Sequence, residues 1–462
     1  MTITMLNAPP PSGIGRRRGA ASRKKSPVTS IIVAAVSFLV TLFLILAFGS
    51  YNFSSSTSTT NSNGKIRLND AKPIVSSDTD DGDDDTDEAI SEEFQDIAGI
   101  ARAKLHLVSI DAEHMSKSGS NGYHGVTGSF CKLDWKKYKK DPPSLPMFRM
   151  LVSESGCDNR KNILTLDLAK VVRKVRQYDK NNNDVHAMPP TGFVFHESRV
   201  GSTLVANALT AMDPESHRVY SESDPINSAL NACQRSPCDM DIHAELLRDV
   251  VYLMGRTSSP KEKHVFFKVS SIGSKRIDVM QEAFPSVPWI FVYRDPVQTM
   301  MSHMDPAKLK QIRGGVPQAV CLRAKRRPPN DLVELASHYG ADIDELTNEE
   351  FCAAHLATLC ESALKQMNKS HGKGVAVEYE GLVDKLIESI IPNHFGINVD
   401  ESARQNILTV SQIYSKSKPG KSKDWEEDSE NKDNRSTPEI RAASEKFLSK
   451  FYFELKKHSI DK

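Results

Sequence analysis

Two arginines, each at the end of an apolar run, are the residues here best suited to hold phosphate-like anions. Arg199 lies in Gly192-Phe-Val-Phe-His-Glu-Ser-Arg-Val-Gly-Ser-Thr-Leu-Val-Ala-Asn-Ala-Leu209. The apolar opening reads as a buried strand, and Leu204, Val205, Ala208 and Leu209 recur at helical spacing. Between them Gly201 takes the tightest point of a turn, and Ser202 is placed as the helix N-cap. Such a strand, turn and helix N-terminus bring unpaired N–H groups and the positive end of the helix dipole to one point. Arg199 adds a permanent cation there, and Ser202 and Thr203 add hydroxyl donors. No lysine follows Gly201, so the turn is not a Walker A loop.

Arg294 lies in Pro288-Trp-Ile-Phe-Val-Tyr-Arg-Asp-Pro-Val-Gln-Thr-Met-Met-Ser-His303. An apolar strand is expected to end at Tyr293, with Asp295 as N-cap and Pro296 as first residue of a new helix. Ser302 then falls about two turns along it. Ligands of open α/β sheets collect at the carboxyl ends of the strands, where both arginines are placed. The plainer alternative is that Arg294 pairs only with Asp295 or another carboxylate.

Together the two stretches resemble the P-loop sulfotransferases that use 3′-phosphoadenosine 5′-phosphosulfate (PAPS). Their 5′-phosphosulfate loop, [Lys/Arg]-x-Gly-[Ser/Thr]-Thr, is matched by Arg199-Val-Gly-Ser-Thr203, and their 3′-phosphate motif by Arg294 and Ser302. The loop has Val200 where Ser or Thr is usual and Leu204 where Trp is frequent. It is most similar to the membrane-anchored, tyrosylprotein-sulfotransferase-like branch. The resemblance implies that Gly201, Ser202, Thr203 and Leu204 hold the 5′-phosphate through backbone N–H groups and hydroxyls. It further implies that Arg199 meets the sulfate and bridging oxygen, and that Arg294 and Ser302 grip the 3′-phosphate. Members of that branch use a Glu shortly after the loop as base, which points to Glu222, with Asp224 as competitor and His196 as a third candidate. An ionised carboxylate beside the acceptor oxygen can take its proton; the alternative is that Glu222 only pairs with a cation or caps a helix. Lys268 is implied as a supporting cation. The segment 414–425 resembles the loop that closes over PAPS, and reads equally as a solvated charge run.

The elements that must position these residues alternate strand and helix. Residues 218–221 and 264–269 read as strands, 241–254, 272–283 and 346–367 as helices, and 374–379 as a late strand resembling a Tyr-Glu-x-Leu segment of the family. That order predicts an α/β fold, a mainly parallel central sheet flanked by helices, of P-loop type related to sulfotransferases and nucleotide kinases. Residues 163–178 read as a packing helix with a basic outer face.

Upstream, residues 1–30 carry six basic residues and no acid, and residues 31–48 form an uncharged, mostly apolar run of 18 residues. That run suffices to span a bilayer, with the basic side cytosolic. The expected organisation is a cytosolic tail (1–30), a single-pass type II signal anchor (31–49), a disordered acidic stem (50–99) and a lumenal catalytic domain (100–462), in the Golgi membrane. Asn52, Asn368 and Asn434 begin glycosylation sequons that would face the lumen. The net charge of +1, with six positives in the tail, leaves the remainder acidic, which argues against a general nucleic-acid-binding surface. Of seven cysteines, Cys233 and Cys238 are the best disulfide pair, and their spacing is a poor match for zinc. No metal is expected.

The leading expectation is therefore transfer of a sulfuryl group from PAPS to a hydroxyl of a carbohydrate or protein. A membrane-tethered protein that binds the product 3′-phosphoadenosine 5′-phosphate (PAP) without turnover is the non-enzymatic alternative. A P-loop kinase is disfavoured by the missing Walker lysine and the lack of an obvious carboxylate pair for Mg²⁺.

Overall fold

The computed structural model describes residues 92–117, 122–233, 238–305, 319–413 and 428–460. Thr86–Lys462 forms one compact unit; the other unit, Met1–Asp85, lies outside the described residues, as do the anchor run 31–49 and the segment 414–425. Among the described residues no helix is long and apolar enough to cross a membrane. A first helix, α1 (Glu92–Ala101), already buries Ile97, Ile100 and Ala101.

A small antiparallel sheet follows, in the order β1 (His106–Asp111), β2 (Thr127–Cys131), β3 (Leu164–Asp167). Here the structure corrects the helix expected over 163–178. Leu164-Thr-Leu-Asp alternates half-buried and exposed, the period of a strand, and pairs with β2. Helix α2 (Leu168–Asn181) begins only after Asp167, whose carboxylate caps the Lys170 N–H at 2.7 Å.

The central sheet holds five strands: β4 (Pro190–His196), β5 (His217–Ser221), β6 (His264–Lys268), β7 (Trp289–Tyr293) and β8 (Gly374–Glu378). Their order is β8-β7-β4-β6-β5, and every pairing is parallel. Both faces are covered, which is why the strands read as continuous apolar runs. Phe193, Phe195, Phe267 and Phe291 point into one core with α4 (Asp224–Asn231), α5 (Met240–Met254), α6 (Ile277–Ala283), α7 (Pro296–Met304) and α8 (Asn348–Met367). Val194, Phe266, Ile290, Val292 and Val377 point into the other, under α3 (Ser202–Ala211) and α9 (Glu401–Ser411). The expected helix over 272–283 opens with a 3₁₀ stretch, Ser271–Arg276.

Three disulfides tie the unit together: Cys131–Cys157, Cys233–Cys238 and Cys321–Cys352, with Cys360 left as a buried thiol. The pair expected at 233 and 238 is thus present. His243 lies beside it, but sulfurs joined in a disulfide are not thiolate ligands.

Candidate active site

The strand order sets the site. Along the carboxyl edge, Glu222 follows β5, Lys268 ends β6, the turn carrying Arg199 follows β4, and Arg294 follows β7. Neighbouring strands lie about 4.8 Å apart, so the ends of β5 and β7 are separated by roughly 14 Å across the edge.

The turn after β4 curls tightly, with positive φ at Ser198 (140°), Arg199 (58°) and Gly201 (83°). Such angles in non-glycine residues persist only where the surroundings enforce them. Gly201, not Ser202, is the N-cap of α3: its left-handed conformation ends the turn one residue earlier than expected. A Cβ at Gly201 would also meet the Tyr379 ring at 2.6 Å. Ser202 and Thr203 are buried in the first turn of α3. The Leu204 N–H donates to the Gly201 carbonyl at 2.8 Å, so Leu204 offers the site its side chain rather than its amide. Arg199 is exposed beside His303, whose imidazole is pushed down to about 3 by burial and then by Arg199, and so stays neutral.

Arg294 follows β7 directly, with Asp295 capping the Gln298 N–H at 3.1 Å and Pro296 opening α7 as expected. Its buried guanidinium stacks on Tyr379 at 4.1 Å, and its Nε donates to Gln298 Oε1 at 2.8 Å. Its Nη2 donates to Asp428 Oδ1 at 3.0 Å and Ser429 Oγ at 2.7 Å, at the start of α10 (Ser429–Arg435). Burial raises the Asp428 carboxyl, but Lys432 and Arg294 outweigh it and hold it below its usual range. The carboxylate partner foreseen as an alternative thus exists, as Asp428 rather than Asp295. Ser302 donates to the Gln298 carbonyl at 2.9 Å, one turn back.

One ring joins the two arginine-bearing strand ends. Tyr379, whose N–H bonds Tyr293 O at 2.8 Å, presses on Gly201 and lies under Arg294. Around it opens a cleft of about 580 Å³ lined by Leu204, Arg294, Gln298, Tyr379, Leu382 and Gln412, among others. Arg199, Glu222 and Lys268 are not among its lining residues.

Those last two meet beyond the turn. The Glu222 carboxylate forms an ion pair with Lys268 Nζ, and His196 Nε2 stands 3.9 Å from the same oxygen. Glu222 has φ 51°, and its N–H donates to Lys268 O at 2.6 Å. Burial depresses the Lys268 ammonium, and Glu222 opposes that shift only in part. Asp224 turns instead toward β1: burial raises its carboxyl, and bonds from the Ile110 backbone and Ser228 offset this in part. Glu222, Lys268 and His196 are therefore brought together, and Asp224 is directed elsewhere.

Sequence reasoning left Gln298, Tyr379, Asp428 and Glu197 without assigned tasks. A polar residue four positions after Arg294 was a readable helix-spacing signal for Gln298. Asp428 lies 134 residues from its partner, and no local pattern announces it.

No protein-family model and no curated protein sequence matches the chain. Solved structures resemble it distantly. A sulfotransferase from Alicyclobacillus acidocaldarius shares 11% identity over 58% of this chain and 95% of that one, with a TM-score of 0.32. A sulfotransferase from Mycobacterium avium shares 10% over 60% and 76%, at 0.33. The sulfotransferase domain of an olefin synthase from Synechococcus PCC 7002 shares 15% over 59% and 95%, at 0.30. Likenesses this distant say nothing of what this chain's side chains do.

Proposed function

We propose that the chain is a sulfotransferase, moving a sulfuryl group from PAPS to a hydroxyl of a carbohydrate or protein acceptor. What carries this reading is the Tyr379 ring, shared by Gly201 of the anion-holding turn and by Arg294. Arg294 lines the cleft beside that ring, and the turn's helix reaches the same cleft through Leu204. The hold of Arg294 on the Asp428 carboxylate supports its fitness for an anionic oxygen.

Transfer would form a bond from the acceptor oxygen to sulfur while the bond from sulfur to the bridging oxygen breaks. PAP leaves with the bridging oxygen, and the acceptor proton passes to Glu222. The ion pair with Lys268 holds the Glu222 carboxylate at the carboxyl edge of the sheet, where a base would have to stand. Lys268 and Arg199 would offset charge gathering on the sulfuryl and bridging oxygens, as positioning and electrostatics must in such transfers. The three disulfides suit an oxidising compartment, in keeping with a type II Golgi protein anchored through 31–49.

The alternative is a protein that binds PAP without turnover, because the residue assigned as base is engaged. The Glu222 carboxylate is already paired with Lys268. Incubating the protein with sulfur-labelled PAPS and a panel of glycans, peptides and small alcohols separates the readings. Label on any acceptor supports transfer; PAP binding with no labelled product selects the inactive reading; no PAP binding sinks both.

A further inference from the structure

Glu197 takes no part in the chemistry above, yet it is the most deeply buried acidic residue among those described, at 2% exposure. Other buried acids have cations: Glu262 pairs with Arg218, Asp249 with Arg176, and Asp305 with Arg435. Among the described residues no cation pairs with the Glu197 carboxyl. That carboxyl accepts the backbone N–H of Arg294 and lies against the hydroxyl of Thr299, one turn into α7. The Glu197 N–H reaches across to Val292 O at 3.0 Å. Glu197 thus joins the start of the turn bearing Arg199 and Gly201 to the junction bearing Arg294, from beneath.

We infer that Glu197 is a positioning residue that holds the anion-binding turn against the Arg294 junction, and that the charge left by loss of its proton opposes an anion bound above it. The inference rests on the donor-binding reading above. A buried carboxylate with no counter-ion is strongly disfavoured, so the group stays a neutral acid. Burial first, and Asp295 second, push its carboxyl up to about 8, against the lowering effect of the Arg294 N–H and Thr299. Once ionised, it would set a negative charge below the turn that must accept an anion.

The groups facing it are few. Asp295 and Arg294 face it from the β7–α7 junction and Thr299 from α7. Cys360 faces it from α8, its thiol pushed well up by burial and by Glu197. His303 is neutral throughout the relevant range. Lys268, whose ammonium burial depresses, stands at the end of β6 beside Glu222 and is a second group whose charge could change with pH.

The test is equilibrium binding of PAP to the full-length protein in detergent between about pH 7 and 9.5, for the wild type and Glu197→Gln. Wild-type affinity is expected to fall up to about tenfold per pH unit above 8, while Glu197→Gln stays within about twofold. A wild-type profile that is flat, or a Glu197→Gln profile that falls in parallel, overturns the inference and in the latter case points to Lys268. Absence of PAP binding at every pH overturns the donor-binding reading itself. Asp295→Asn keeps a good N-cap but removes the neighbouring charge. It should move the alkaline fall to lower pH, and an unmoved midpoint counts against Glu197 as its source.

Discussion

At the scale of single residues, the proposed function gives Arg294 the work of binding and Glu222 that of transfer. Arg294→Ala should weaken PAP at least tenfold, as expected for a lost charged hydrogen bond, while AMP, lacking the 3′-phosphate, is nearly unaffected. Equal losses for both nucleotides in calorimetry would remove Arg294 from the 3′ end. Glu222→Gln should leave PAP affinity within a few-fold and cut transfer by about 10²–10⁴. It should also lower the melting temperature, because it leaves the buried Lys268 ammonium without its carboxylate. Retained transfer would move the base to His196 or elsewhere. Both arginines were legible in the sequence because each ends an apolar run and precedes a helix signal. Their partners were not, since Asp428 and Tyr379 reach them through the fold and not through any local spacing.

At the scale of elements, the turn between β4 and α3 is doubly specified. Gly201 must adopt a positive φ and must also leave room for the Tyr379 ring. Gly201→Ala should therefore cost about 1–2 kcal/mol from the backbone alone, plus the displacement of the ring. Thermal unfolding should show the loss, and PAP affinity should fall with it; an unchanged melting temperature would mean that the ring moves aside freely. The one-residue error over the N-cap has the same origin, because a serine before a helical run is a stronger local signal than a glycine whose need lies in a residue 178 positions away. The strand at 164–167 was missed likewise, its apolar residues fitting a helical period until β2 supplied a partner. Just before α10, Asp428 holds the guanidinium that the proposed function gives to the 3′-phosphate. Asp428→Asn should tighten PAP by roughly a few-fold, and more at low salt, as befits a half-exposed ion pair. Weaker binding would make Asp428 part of the nucleotide site and not its rival.

At the scale of the whole molecule, the α/β class and the parallel sheet were readable from the alternation of strands and helices. The strand order β8-β7-β4-β6-β5 was not, because it depends on which crossovers pack on which face. The walls of the cleft come from Leu204, Arg294, Tyr379, Gln412 and Ser429, spread over more than two hundred positions. A chain ended at residue 373 would keep both arginines yet lack β8 and the tyrosine that unites them. It should bind no PAP, and tight binding by such a chain would detach the cleft from nucleotide recognition. Because Tyr379 and Ser429 lie 85 (379 − 294) and 135 (429 − 294) positions beyond Arg294, the cleft around that guanidinium assembles only once distant stretches of the chain have packed together.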